Sequence, residues 1–300
     1  VSKTYGGRQF KFGPEYIIPK PFDSRVLLWV CPAVAKAAMD TGVAQLKINM
    51  DEYVVSLEKR LGLRQSFVCS IKEKIQASEE EPKKLCKIVF PEGSNSKILR
   101  ACDMIVQDEI AIPILLGNEK RIRTAIDTLG LEHLKNTMII SPGISENRDS
   151  YAQQLWELRQ RKGLSKDRAF SLMKQENYYG SMMVRRNDAD GLLSGITQSY
   201  PDAIRPFLEV VGARRGMKCA GLYMMLFKDR VLFFADTTVN IEPTAADLAD
   251  IAICCAEEAK FFDIEPKIAM LSFSNFGSNT HPLSNKVREA TEIVRKRRPD

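Results

Sequence analysis

The densest set of side chains able to do chemistry lies at residues 178–206, YYGSMMVRRNDADGLLSGITQSYPDAIRP. Ser194-Gly195 offers backbone that another group can approach closely. Thr197, Gln198, Ser199 and Tyr200 supply four hydrogen-bonding side chains in a row. Arg205 stands directly before Pro206, and proline is favoured at the first helical position, so the spacing predicts Arg205 at a helix N-terminus. A cation beside free backbone N–H groups is an arrangement that binds anions. On that reading the stretch lines a pocket for a phosphorylated ligand. The same residues also read as plain structure: a tight turn over 188–191, a short buried strand starting at Leu192-Leu193, and a capped helix with Arg205 on its surface. Upstream, Arg159, Arg161 and Lys162 sit near the end of a helix predicted over 151–162, where cations favour the helix dipole.

Other chemistries find less support. Of the two histidines, His133 falls on a helix and His281 at a helix start, and neither lies near a nucleophile elbow. Asp188 and Asp190 resemble the opening of a calcium loop, but the glycine spacing is wrong and no glutamate closes it. No HExxH or Walker sequence occurs, and Gly6, Gly7 and Gly13 do not make a dinucleotide fingerprint. The seven cysteines include no CxxC pair, and Cys254 and Cys255 are adjacent. That pattern points to reduced thiols in the cytoplasm and to no metal site. No catalytic residue and no metal ligand is assigned.

Composition sets the class. Over 300 residues, 44% are hydrophobic and 27% charged, ordinary for a globular chain. No apolar run approaches the roughly 20 residues that cross a bilayer. The net charge of +6 suits anionic metabolites and does not call for nucleic acid. The expected partners are therefore small anions, with neither membrane nor nucleic acid.

The elements that must position these residues alternate. Residues 88–90, 112–116 and 138–140 read as strands. Helices are predicted over 97–107, from Asn118 to near Gly130, and over 151–162 and 165–174. This order predicts an α/β fold, a largely parallel sheet with helices on both faces. In such sheets ligands bind beyond the carboxyl ends of the strands, where both 91–95 and 197–205 are placed. After Gly216 the character changes. Residues 219–227 and 231–235 read as paired strands joined by a turn at 228–230. A helix follows Thr244 with capping-box spacing, 267–273 reads as a strand, and a last helix starts at His281-Pro282. The expected organisation is 1–63 as the tail of one domain, 64–86 as a charged linker, 87–216 as one subdomain and 217–300 as a second. The chain starts on Val1 and ends at Asp300 after a basic helix, so the second subdomain is expected to be truncated.

From Lys87 onward the chain resembles the phosphate acetyl/butyryl transferase family. The similarity runs through IVFPEG at 88–93, ELRQRKGL at 157–164, GSMMV at 180–184, DADGLLSG at 188–195, IRP at 204–206, NIEPTAADL at 240–248, AMLSF at 269–273 and HPLSNKVREAT at 281–291. Upstream, FGPEYIIPKPFD at 12–23 and AVAKAAMDTGVA at 33–44 resemble the end of the NADP-binding half of bacterial malic enzymes. The joined resemblance implies a hybrid layout with two subdomains of a phosphotransacetylase-like fold. In the transferases CoA attacks acetyl phosphate and arginines hold the phosphate. The resemblance carries that role to Arg159 and Arg205, which with Ser194, Thr197 and Tyr200 make the candidate phosphate or acyl-CoA site.

Gln198 stands where the transferases commonly carry histidine. Ser274-Asn275-Phe276-Gly277 departs from their Ser/Thr-rich loop, and their later serine-arginine segment has no counterpart before Asp300. The resemblance to the hybrids therefore implies a domain that binds acetyl-CoA or acetyl phosphate and supports a homo-oligomer. Its alternatives are an active transferase and a purely structural assembly domain. It implies no cofactor for these 300 residues; NADP and a divalent metal, Mg or Mn, are implied for the malic half.

Overall fold

A computed structural model describes residues 13–14, 17–19, 26–61, 67, 71, 74–75, 85–214, 216–227, 230–275 and 277–300. Most of the predicted linker at 64–86, and part of the turn at 228–230, lie outside the described residues. The chain divides into two compact units, Lys74–Cys219 and Val1–Glu73 with Ala220–Asp300. In the latter, the described N-terminal part forms α1 (Cys31–Asp40) and α2 (Met50–Leu61).

The unit Lys74–Cys219 is a four-stranded parallel sheet. Its elements in order are β1 (Lys87–Phe90), α3 (Ser96–Gln107), β2 (Ile112–Leu116), α4 (Glu119–Leu129), β3 (Met138–Ile140), α5 (Arg148–Arg159), α6 (Lys166–Leu172), α7 (Glu176–Arg185), β4 (Gly191–Leu192) and α8 (Tyr200–Val210). The strand order is β3-β2-β1-β4, with Val89 opposite Ile114 and Leu192. Successive strand residues face opposite sides of a sheet, and the burial follows that rule. Phe90 and Leu115 join Leu99, Cys102, Ile122 and Ile126 of α3 and α4 in one core. Val89, Ile114 and Leu116 join residues of α5 to α8 in the other. Helices thus cover both faces, as the alternating pattern predicts.

Local sequence sets the helix ends. The side chains of Asn95 and Asn118 accept the N–H of Lys97 (2.9 Å) and Arg121 (3.0 Å), satisfying first-turn donors that have no partner in the helix. Gly130, at φ 65°, closes α4 in the left-handed conformation. Helix α7 comes so close to the sheet that a Cβ on Gly180 would stand 2.8 Å from Leu192 Cδ1 and 3.0 Å from Val89 Cγ1. A larger residue there must push the Leu192 and Val89 side chains aside.

The structure corrects three local expectations. Helix α8 begins at Tyr200, with Ser199 as its cap and Pro201 in its first turn, so Pro206 and Arg205 lie inside the helix. Two prolines compete for the first turn, and the one behind a capping serine takes it. Strand β4 stops at Leu192, and Leu193 is 57% exposed. Residues 267–273 make no strand, because no described neighbour offers them a ladder.

In the other unit, β5 (Leu222–Leu226) and β6 (Val231–Ala235) form the predicted antiparallel pair. Helix α9 (Ala245–Phe261) starts in a capping box, Thr244 and Asp247 each bonding the other's backbone N–H. It packs along α10 (Pro282–Arg297), where His281 Nδ1 accepts the Leu283 N–H at 3.2 Å.

Candidate anion site

The site is built at the carboxyl ends of β1 and β4, which are neighbours in the sheet. The turn after β1 carries Glu92 and the loop after β4 carries 193–199. Glu92 Oε2 accepts the N–H of Gly195 (2.8 Å) and Ile196 (2.9 Å). Its Oε1 accepts the Thr197 N–H (2.6 Å) and the Thr197 hydroxyl. Gly195 turns the loop at φ 112°, a region side chains rarely adopt. Burial alone would raise the Glu92 carboxyl above its ordinary value. The bonds from the Thr197 hydroxyl and the three N–H groups outweigh it, and the carboxyl is held low. These loop N–H groups are therefore taken by a carboxylate of the chain itself.

Asn177, 6% exposed on α7, organises the next layer. It accepts the Ser194 hydroxyl at 2.9 Å and donates to Gln198 Oε1 and to the Asp202 carbonyl at 3.3 Å. That last bond has a backbone reason. Pro206 has no N–H to give the carbonyl four residues before it, which is Asp202, and the Asn177 amide fills the vacancy. A side chain of α7 thus completes the hydrogen bonding of α8 at the turn that carries Arg205.

Arg159 ends α5 and Arg205 lies in α8, 46 residues later in sequence, yet the charges of both act on the same phenol. The Tyr178 hydroxyl donates to Glu209 Oε2 at 2.7 Å, and Glu209 Oε1 is 3.6 Å from Arg159 Nη2. Burial, then the bond to Glu209 and its charge, push the Tyr178 hydroxyl up to about 12, while Arg205 and Arg159 both pull it down. Arg205 is exposed and makes no hydrogen bond or ion pair among the described residues. Tyr200 opens α8 and is 45% exposed.

Of the residues singled out from sequence, Arg159 shares the Glu209 carboxylate with Tyr178, and the charge of Arg205 also acts on the Tyr178 hydroxyl. Ser194 turns inward to Asn177, and Thr197 is engaged with Glu92. Asn177, Glu92 and Glu209 escaped the sequence reading. The available signals were a proline inside α8 that needs a substitute donor, and Glu209 placed one helical turn after Arg205. The two aspartates of the calcium-like pattern are structural: Asp188 accepts the Tyr151 hydroxyl, and Asp190 accepts the Lys87 N–H at 2.7 Å. Among the described residues no three His, Cys, Asp or Glu side chains converge as metal ligands. Burial raises the Cys102 and Cys255 thiols to about 12 and about 11, far from a reactive thiolate.

A second carboxylate in a ring of N–H groups lies in the other unit. Asp236 accepts from Gly221 N (2.7 Å), Thr238 N (3.1 Å), Val239 N (3.0 Å) and both nitrogens of Asn240. Burial would raise its carboxyl, and these bonds bring it down to about 2.

Residues 67–300 match the family described as Phosphate acetyl/butaryl transferase. All of the chain aligns with the NADP-dependent malic enzyme of Escherichia coli (strain K12) at 36% identity, covering 39% of that protein. The chain thus spans about two fifths of the length of the malic enzymes it matches. The phosphate acetyltransferase of Thermoanaerobacterium thermosaccharolyticum is 38% identical over 78% of this chain and 71% of its own. The crystal structure of a phosphotransacetylase from Streptococcus pyogenes has a TM-score of 0.72 and 37% identity, over 79% of this chain and 70% of that one. With the match over 67–300 and the likeness to a solved phosphotransacetylase, the chain belongs to the Phosphate acetyl/butaryl transferase family.

Proposed function

We infer that this chain is the acetyl-CoA-binding regulatory and oligomerisation part of an NADP-dependent malic enzyme, a cytoplasmic homo-oligomer that oxidatively decarboxylates malate to pyruvate. The observation that supports the ligand half of this reading is the Arg159–Glu209–Tyr178 contact, with Arg205 one helical turn before Glu209 on α8. Neighbouring guanidiniums recognise a phosphate group, and acetyl-CoA presents several. The alignment with malic enzymes over the whole chain supports the assignment to that class of protein. In this reading the NADP and the Mg or Mn ion serve the malate chemistry of the parent enzyme, as the alignment with NADP-dependent malic enzymes suggests.

Bound acetyl-CoA should raise the melting temperature and give a calorimetric signal. Arg205→Ala should remove both while leaving the fold intact, because the side chain is exposed. Absence of any response at millimolar acetyl-CoA would end this reading.

The 38% identity to a phosphate acetyltransferase favours a second reading, in which the CoA thiolate attacks the acetyl carbonyl of acetyl phosphate, the thioester forms and inorganic phosphate leaves. Thioester formation that Arg205→Ala abolishes would establish it. A chain that only supports assembly would bind no ligand, and its removal would change the particle mass measured by light scattering.

A further inference from the structure

Glu209 stands where the two arginines would meet an anion. Its Oε1 lies 3.6 Å from Arg159 Nη2, and its Oε2 accepts the Tyr178 hydroxyl at 2.7 Å. On α8 it follows Arg205 by four residues, so the two side chains share one face of the helix. Arg159 and Tyr178 therefore meet one carboxylate, and Arg205 stands one helical turn before it. Arg159 and Glu209 are 23% and 29% exposed, so the pair is open to solvent and to an incoming ligand. A phosphate that enters must displace this carboxylate or bind beside it against the repulsion of like charges.

We propose that Glu209 is an internal competitor for the phosphate group: it holds Arg159 and Tyr178 in the unliganded protein and is displaced when a phosphate-bearing ligand binds. The inference rests on the reading of Arg159 and Arg205 as an anion site, and it adds the residue that sets the affinity of that site. Tyr178 gains a role as well. Its hydroxyl anchors Glu209 in the empty state and becomes a donor to the phosphate once the carboxylate leaves. The weak 3.6 Å contact to Arg159, beside the short bond to Tyr178, marks a pair that can part.

Calorimetric titration of the purified protein with acetyl-CoA, and separately with inorganic phosphate, tests the proposal on the wild type, Glu209→Gln and Arg205→Ala. Glu209→Gln keeps the side-chain length and the acceptor for Tyr178 but removes the charge. It should bind the phosphate-bearing probe about fivefold more tightly than the wild type, equivalent to roughly 1 kcal/mol. Binding by Glu209→Gln where the wild type shows none would support the same conclusion. Equal or weaker binding by Glu209→Gln, with wild-type binding present and lost in Arg205→Ala, would overturn the competitor role and leave the anion site standing. If none of the three takes up either probe, the anion-site reading fails and this proposal falls with it. Glu209→Ala, read by the same outcomes, replaces the Gln variant if that one does not fold.

Discussion

Replacing Glu92 by Gln separates the charge of this side chain from its shape. The carboxylate accepts four bonds, two on each oxygen, from the N–H groups of Gly195, Ile196 and Thr197 and from the Thr197 hydroxyl. A Gln amide has one oxygen. Whichever way it turns, two donors keep an acceptor and two face an NH2 group. Each donor left without a partner costs about 1–3 kcal/mol when buried. Gly195, Ile196 and Thr197 are exposed, so water recovers part of that cost. The expected net loss is about 2 kcal/mol, or a fall in Tm of roughly 5 °C.

The same bonds predict a pH signature. The folded Glu92 carboxyl lies below its ordinary 4.5. Its contribution is complete above that value and is lost as pH falls through the lower folded value. Urea unfolding at neutral pH should show the full difference between wild type and variant, and the difference should shrink below pH 4.5. Amide exchange at Gly195, Ile196 and Thr197 should speed up in the variant. A loss under about 0.5 kcal/mol at neutral pH, within the range of ordinary surface substitutions, would refute the reasoning. So would a difference that stays constant with pH.

Three further outcomes follow from the geometry. Gly180→Ala drives a methyl into Leu192 Cδ1 at 2.8 Å and Val89 Cγ1 at 3.0 Å and should cost roughly 1–3 kcal/mol in chemical denaturation. Asn177→Ala leaves the Asp202 carbonyl without the donor that Pro206 lacks and frees the Ser194 hydroxyl, for a loss of about 2 kcal/mol and weaker acetyl-CoA binding by calorimetry. Asp236→Asn should cost about 1–2 kcal/mol at neutral pH, and thermal melts should show the difference fading as pH falls from 3.8 toward 2.

Much of the architecture was legible along the chain because its causes are local. Asn95 and Asn118 cap helices with their own side chains, and Gly130 ends one through its own φ. The apolar runs at 88–90 and 112–116 become central strands because they are short, β-branched or aliphatic, and bounded by polar turns. Thr244 and Asp247 specify a capping box within four residues. The family resemblance was legible for a related reason, since ordered motifs survive in sequence whatever their spacing in space.

The site is another matter. Arg159 stood out as a cation, but no local pattern tied it to Glu209 and Tyr178; the packing of α5, α7 and α8 over the sheet did that. The helix start at Tyr200 was misread because a proline marks a first turn only when nothing upstream claims it, and Ser199 with Pro201 did. That Glu92 would fill the N–H groups of a loop 103 residues away depended on β1 pairing with β4. Caps, strands and motifs are short-range and were determined by the sequence itself. Which donor meets which acceptor across neighbouring strands and helices is long-range, and the tertiary structure alone decided it.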